Sequence, residues 1–162
     1  DASKRRLPLQ AKVGATMTPE HFRDLARHGK IGHMGIGESV AMMERIAASS
    51  PPGEALPTMM RAYLSQEHLE GIESGCATAA LGSEMPRQAP EVRRAATRRI
   101  KEMIDLLARQ MPDWGQPEAH QRAMALVCGL IGTTMIARAV DDPKLSSALR
   151  TAALKQLAPA GA

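Results

Sequence analysis

Aromatic residues are almost missing from this chain: Phe22, Tyr63 and Trp114 are the three among 162 residues. Strand-favouring residues are correspondingly scarce, which argues against a sheet-built core. Cysteine is limited to Cys76 and Cys128, too few for a disulfide framework, and no CxxC or Cys/His cluster has zinc spacing. No GxGxxG, P-loop, HExxH or GxSxG motif occurs, so dinucleotide, phosphate, zinc-protease and hydrolase chemistry have no anchor here. The five histidines, His21, His28, His33, His68 and His120, are dispersed and read as solvated side chains. No acid–base pair stands out as catalytic, no cofactor or metal is implied, and the chain is read as a non-enzyme. There is no signal-peptide pattern, and reduced cysteines fit a cytoplasmic protein.

What is plentiful is Ala, Leu and Met, with Met alone present eleven times. These are strong helix formers, and the expected fold class is all-α. The length fits one domain with a small extra segment. The net charge of +4 is carried entirely by residues 1–30, where seven basic groups face three acidic ones. That segment is either a solvated basic tail or a weak, salt-sensitive attraction for phosphate. The chain opens on Asp1 rather than Met, and we read it as a processed or excised piece.

Apolar spacing and punctuation place the helices. Thr18-Pro19 opens one over about 19–28, and Gly29 to Gly37 form a connector. Val40, Met43, Ile46 and Ala47 line one face of a helix over about 37–48. A third covers about 54–65, provided Pro57 falls in its first turn, and carries Leu56, Met59, Met60 and Tyr63. Residues 66–74 read as a loop or a weak turn of helix, and a short helix follows over about 75–85. Val92, Ala96, Ile100, Met103 and Leu107 define a helix over about 90–110, with Arg93, Arg94, Arg98, Arg99 and Lys101 opposite. Asp105 on the same helix faces either a cationic ligand or water. Pro117 starts a helix over about 117–140 that is apolar all round from Ala123 to Val140, with Arg138 its one charge. Asp141-Asp142-Pro143 caps the last helix, about 143–157, with Leu145, Leu149, Ala153 and Leu157 as its inner stripe.

A helix apolar all round must be covered all round. Diluted by Gly129, Gly132, Thr133 and Thr134, it reads as buried by protein and not as a membrane span. Two readings stand: it is the central helix of a monomer, or a twin subunit covers half of it. In the second, the helices over about 117–140 and 143–157 of two copies form a four-helix bundle, with Gly129, Gly132 and Ala139 permitting close approach. Its interface is placed at Val127, Ile131, Met135, Leu145 and Leu149.

Ser74-Gly75-Cys76-Ala77-Thr78-Ala79-Ala80-Leu81-Gly82-Ser83-Glu84-Met85 follows Leu64-Ser65-Gln66-Glu67-His68, and a charged amphipathic segment and a long apolar one come after. This order, from about Gly35 to Leu157, resembles the C-terminal regulatory domain of the tetracycline-repressor (TetR) family of transcription regulators. The resemblance implies a homodimer joined by its last two long helices, and a small, mostly apolar effector held inside. Residues 35–160 are taken as that domain and 1–34 as an atypical, truncated or degenerate head region. No helix-turn-helix is recognisable there, although Ala2-Ser3-Lys4-Arg5-Arg6-Leu7 echoes the close of the family's head. DNA is therefore reached only through a head not recognisable in this chain.

The effector site is expected between the helices over about 54–65, 75–85, 90–110 and 117–140. From the first two, Met59, Met60, Tyr63, Cys76 and Ala80 face inward. Met103, Leu107 and Met124 face it from the other two. Met lines adaptable pockets well, and Tyr63 supplies a directional hydrogen bond. The competing reading is a filled core that serves dimerisation alone. Cys76, at a helix start, is either a reactive thiolate or an inert buried thiol, and Cys128 is read as core.

Overall fold

In a computed structural model, residues 36–70 and 85–158 are described. The protein is all-α, with no strand among those residues. The expected helix over 19–28, the head region and most of the small-residue helix, including Cys76 and Ala80, lie outside the described residues.

Helix α1 (Ile36–Ser49) buries Val40 and Met43 and half-buries Ile46 and Ala47, the stripe its spacing predicts. A turn through Gly53, whose φ of +83° suits a residue without Cβ, leads to α2 (Ala55–Tyr63). Pro57 does sit in its first turn, where its missing N–H interrupts no helical bond. Of the two readings for residues 66–74, the turn of helix is the one formed over 66–70, as the short helix α3 (Gln66–Glu70). Ser65 provides the reason: its Oγ accepts from the His68 N–H at 3.1 Å and satisfies a free donor of the first turn.

After a 3₁₀ turn at Met85–Arg87 comes α4 (Pro90–Ala108), which opens on proline and buries Ala96, Met103 and Leu107. A tight connection through Gly115 (φ +100°) reverses the chain into α5 (Pro117–Ala139), the longest described helix. Arg122 pairs with Asp113 across this reversal. Helix α6 (Pro143–Gln156) then folds back along α5. The Asp142 carboxylate caps α6, accepting from the N–H groups of Lys144 (2.8 Å) and Leu145 (3.2 Å). Asp142→Ala should cost about 1 kcal/mol, the usual value of a lost N-cap, measured as a lower urea midpoint with unchanged m.

Helix α5 lies between α4 and α6, α1 packs on α2 and α4, and the short α3 bridges α2 and α5. The shared core joins Met43, Leu56, Met59, Met60, Tyr63, Met103, Leu107, Leu126 and Leu130. Methionine fills the space that aromatic rings occupy elsewhere, because its unbranched chain adapts to irregular gaps.

Three expectations about the last helices need correction. Helix α5 is not the fully covered central helix of the monomer reading: within the single chain only 33% of its most apolar window is covered, although its length and composition would suffice to cross a membrane. Gly129 serves an approach within the chain, since a Cβ there would meet Leu157 Cδ1 at 2.6 Å. Gly132, by contrast, faces open space. On α6, Leu145 points outward with 46% exposure, and the inner side is made by Ser146 and Ala153 with Leu149, Leu154 and Leu157 half-buried.

Candidate functional site

Helix α2 brings Met59, Met60 and Tyr63 onto one face because they fall at i, i+1 and i+4. All three are essentially unexposed, and so are Met103 and Leu107, which α4 contributes to the same cluster. Five expected pocket residues thus share one interior. Met124 does not join them. At 40% exposure it lies on the outer side of α5, because Ala123 and Val127 take the inward phase of that helix.

His68 is the residue that sequence reasoning misplaced. Read as solvated, it is 7% exposed, with its ring 4.6 Å from that of Tyr63 and tilted by 39°. Its Nε2 is buried and meets no hydrogen-bond partner. Burial, seconded by the nearby charge of Arg138, lowers its pKa from the ordinary 6.5 to about 4. The ring is therefore neutral near pH 7. The usable signal was its spacing: His68 follows Tyr63 by five residues across a Ser-capped corner that turns it back toward the core.

The sign of the pH effect follows. Between pH 4 and 6.5 the unfolded chain binds a proton at His68 that the folded chain refuses. This contribution to stability is complete above pH 6.5 and is lost as pH falls toward 4. With solvent screening at the ring edge, the loss between pH 7 and pH 5 is roughly 1–2 kcal/mol. Urea midpoints should fall over that range in the wild type, and by less in His68→Gln.

Two arginines fix this corner from the far side of the molecule. Arg138 of α5 donates from Nε to the Leu69 carbonyl (2.9 Å) and from Nη2 to the His68 carbonyl (3.0 Å). Arg150 of α6 donates from Nη1 to the Leu64 carbonyl (3.0 Å) and from Nη2 to Gln66 Oε1 (2.6 Å). The carbonyls at the ends of α2 and α3 have no helical partner of their own, and the planar guanidinium fork suits paired acceptors. Arg138, the single charge in the apolar run, is thus a strut between α5 and α3.

The outer side of α5 forms the second feature. Met124, Ala125, Cys128, Met135, Ile136 and Ala139 are exposed, with Ile131 and Gly132 half-buried between Cys128 and Met135. Met135 is 37% and Ile136 53% exposed, and on α6 Leu145, Ala148 and Ala152 continue the apolar surface. Of the expected interface residues, Met135 and Leu145 lie on this face, while Ile131 and Leu149 are half-buried. Val127 is not on it: at 2% exposure it belongs to the chain's own core. Cys128, read as core, is exposed.

Among the described residues no three His, Cys, Asp or Glu converge as a metal site. Asp105 is exposed and stands 3.8 Å from His120 on the surface, so it faces solvent and not the interior.

This helical order is matched by a family model described as the C-terminal domain of LmrA/YxaF-like transcriptional regulators, within TetR, over residues 52–153. The chain belongs to this family. The match covers α2 through most of α6 and includes both the buried cluster and the apolar outer face. A comparison with curated proteins finds no match. The TetR-type domain is the regulatory part of a transcription regulator.

Proposed function

We propose that this TetR-type regulatory domain dimerises through the outer faces of α5 and α6 and holds a small, mostly apolar effector beside Tyr63 and His68. The observation that carries the first half is the uncovered run of Met124, Cys128, Met135, Ile136 and Leu145. A soluble chain gains by covering such a face, and a second copy offers a surface matched to it by symmetry. The family match supports the second half. So does the methionine-rich interior, which can open by rotamer change instead of backbone movement. Cys76 and Ala80 complete the effector wall in this reading.

Effector binding shifts the population between two arrangements of the helices around Tyr63 and His68. The protein works in the cytoplasm, free of the membrane. A filled bundle serving dimerisation alone is the competing function.

Light scattering coupled to gel filtration should give twice the mass of 17.4 kDa. A thermal-shift series of uncharged apolar compounds should raise Tm for at least one class. A dimer that no compound stabilises would favour the filled bundle, and a monomer would overturn the interface.

A further inference from the structure

The effector reading gives the interior an apolar wall, and one atom in that wall has unused hydrogen-bonding capacity. His68 is 93% buried by its 7% exposure, and its Nε2 is buried without a partner. Burying such a nitrogen without a partner destabilises a protein, so a partner that the chain does not itself supply accounts for its being kept. Two of the other buried hydroxyls are committed elsewhere: Thr134 donates to the Leu130 carbonyl and Ser146 to the Ala137 carbonyl, both at 2.9 Å.

We propose that His68 is the polar anchor of the effector site, and that the effector is an uncharged, mostly apolar molecule with one hydroxyl or carbonyl oxygen that meets Nε2. The inference rests on the reading of this interior as an effector site. Three observations define the class. The ring lies against Tyr63, which belongs to the apolar cluster of Met59, Met60, Met103 and Leu107, so the body of the ligand is apolar. The buried polar side chains among the described residues are Ser39, His68, Thr134 and Ser146, with no carboxylate to balance a cationic ligand. The Arg138 guanidinium is held at the His68 and Leu69 carbonyls, and its field further disfavours a cation. A neutral imidazole offers either a donor or a lone pair at Nε2, so hydroxyl and carbonyl oxygens are both accepted.

Naphthalene, 2-naphthol and 2-naphthylmethylammonium share one apolar body and differ in the group offered to Nε2. Their dissociation constants for the whole chain can be read from probe fluorescence or thermal shift at pH 7.5. In the wild type, 2-naphthol should bind about tenfold more tightly than naphthalene, and the ammonium compound most weakly. His68→Phe should keep naphthalene binding and bring the ratio to about one. His68→Gln, which retains a hydrogen-bonding group, should preserve most of the preference and covers the case in which the Phe variant does not fold.

A 2-naphthol preference that persists unchanged in His68→Phe overturns the anchor, as does equal binding of naphthalene and 2-naphthol by the wild type. Tightest binding of the ammonium compound overturns the ligand class. Naphthalene binding without a hydroxyl preference leaves the effector site standing and removes only His68 from it. Failure of every compound to bind overturns site and anchor together.

Discussion

Met135→Asp combined with Ile136→Asp is expected to convert the proposed dimer to a monomer. Both side chains are more than one third exposed in the single chain, so the change leaves the protomer's core untouched. In a two-fold dimer each substitution counts twice. Four apolar side chains lose their burial, at about 1.5–3 kcal/mol each when fully covered, and four carboxylates enter the face instead. The dissociation constant should rise by at least about a thousandfold, read by sedimentation or light scattering across a concentration series. Helical content by circular dichroism should stay close to wild type. A double variant that remains dimeric places the interface elsewhere. Gly132→Ala is the gentler companion: nothing within the chain meets its Cβ, so helix propensity alone predicts a gain of about 1 kcal/mol in the protomer. Loss of dimer in that variant would show that the helices of two copies cross at Gly132.

Arg138→Met is expected to lower stability by about 3 kcal/mol. It keeps most of the apolar stem and removes two charge-assisted bonds to the carbonyls of His68 and Leu69. Half-buried carbonyls then lack partners, and α3, only five residues long, cannot persist by its own propensity. Urea unfolding measures the loss, and hydrogen exchange should show it concentrated at residues 64–70. Arg138→Lys should recover only part of it, because a point charge cannot serve both carbonyls as a planar fork does. Equal stability of wild type and Arg138→Met would show that the corner stands without its strut. Since α5 also carries the outer apolar face, the same residue links the proposed dimer surface to the helix that holds His68.

The helical periods were legible in α1, α2 and α4, whose expected inner residues are buried or half-buried. Pro90, Pro117 and Pro143 marked three helix starts, and Asp142 supplied the cap expected from the sequence. The inward phase of α4 followed from Ala96, Met103 and Leu107, because arginines leave that helix only one face to bury. The family order was likewise readable, and the match over residues 52–153 bears it out. Helix α5 could not be phased the same way. Nearly every side contributes apolar residues, so local sequence does not distinguish Val127, which is buried, from Met124 and Met135, which are not.

The sequence by itself determined that this chain is helical and where its helices begin, since propensity, proline and caps act within a few residues. Only the tertiary structure decided which side of α5 meets the core. Only it showed that Arg138 and Arg150 reach across some seventy to eighty-six positions to hold one corner. It also turned His68 inward. Burial is a property of what the other helices cover, and a residue's immediate neighbours in the chain carry no record of that.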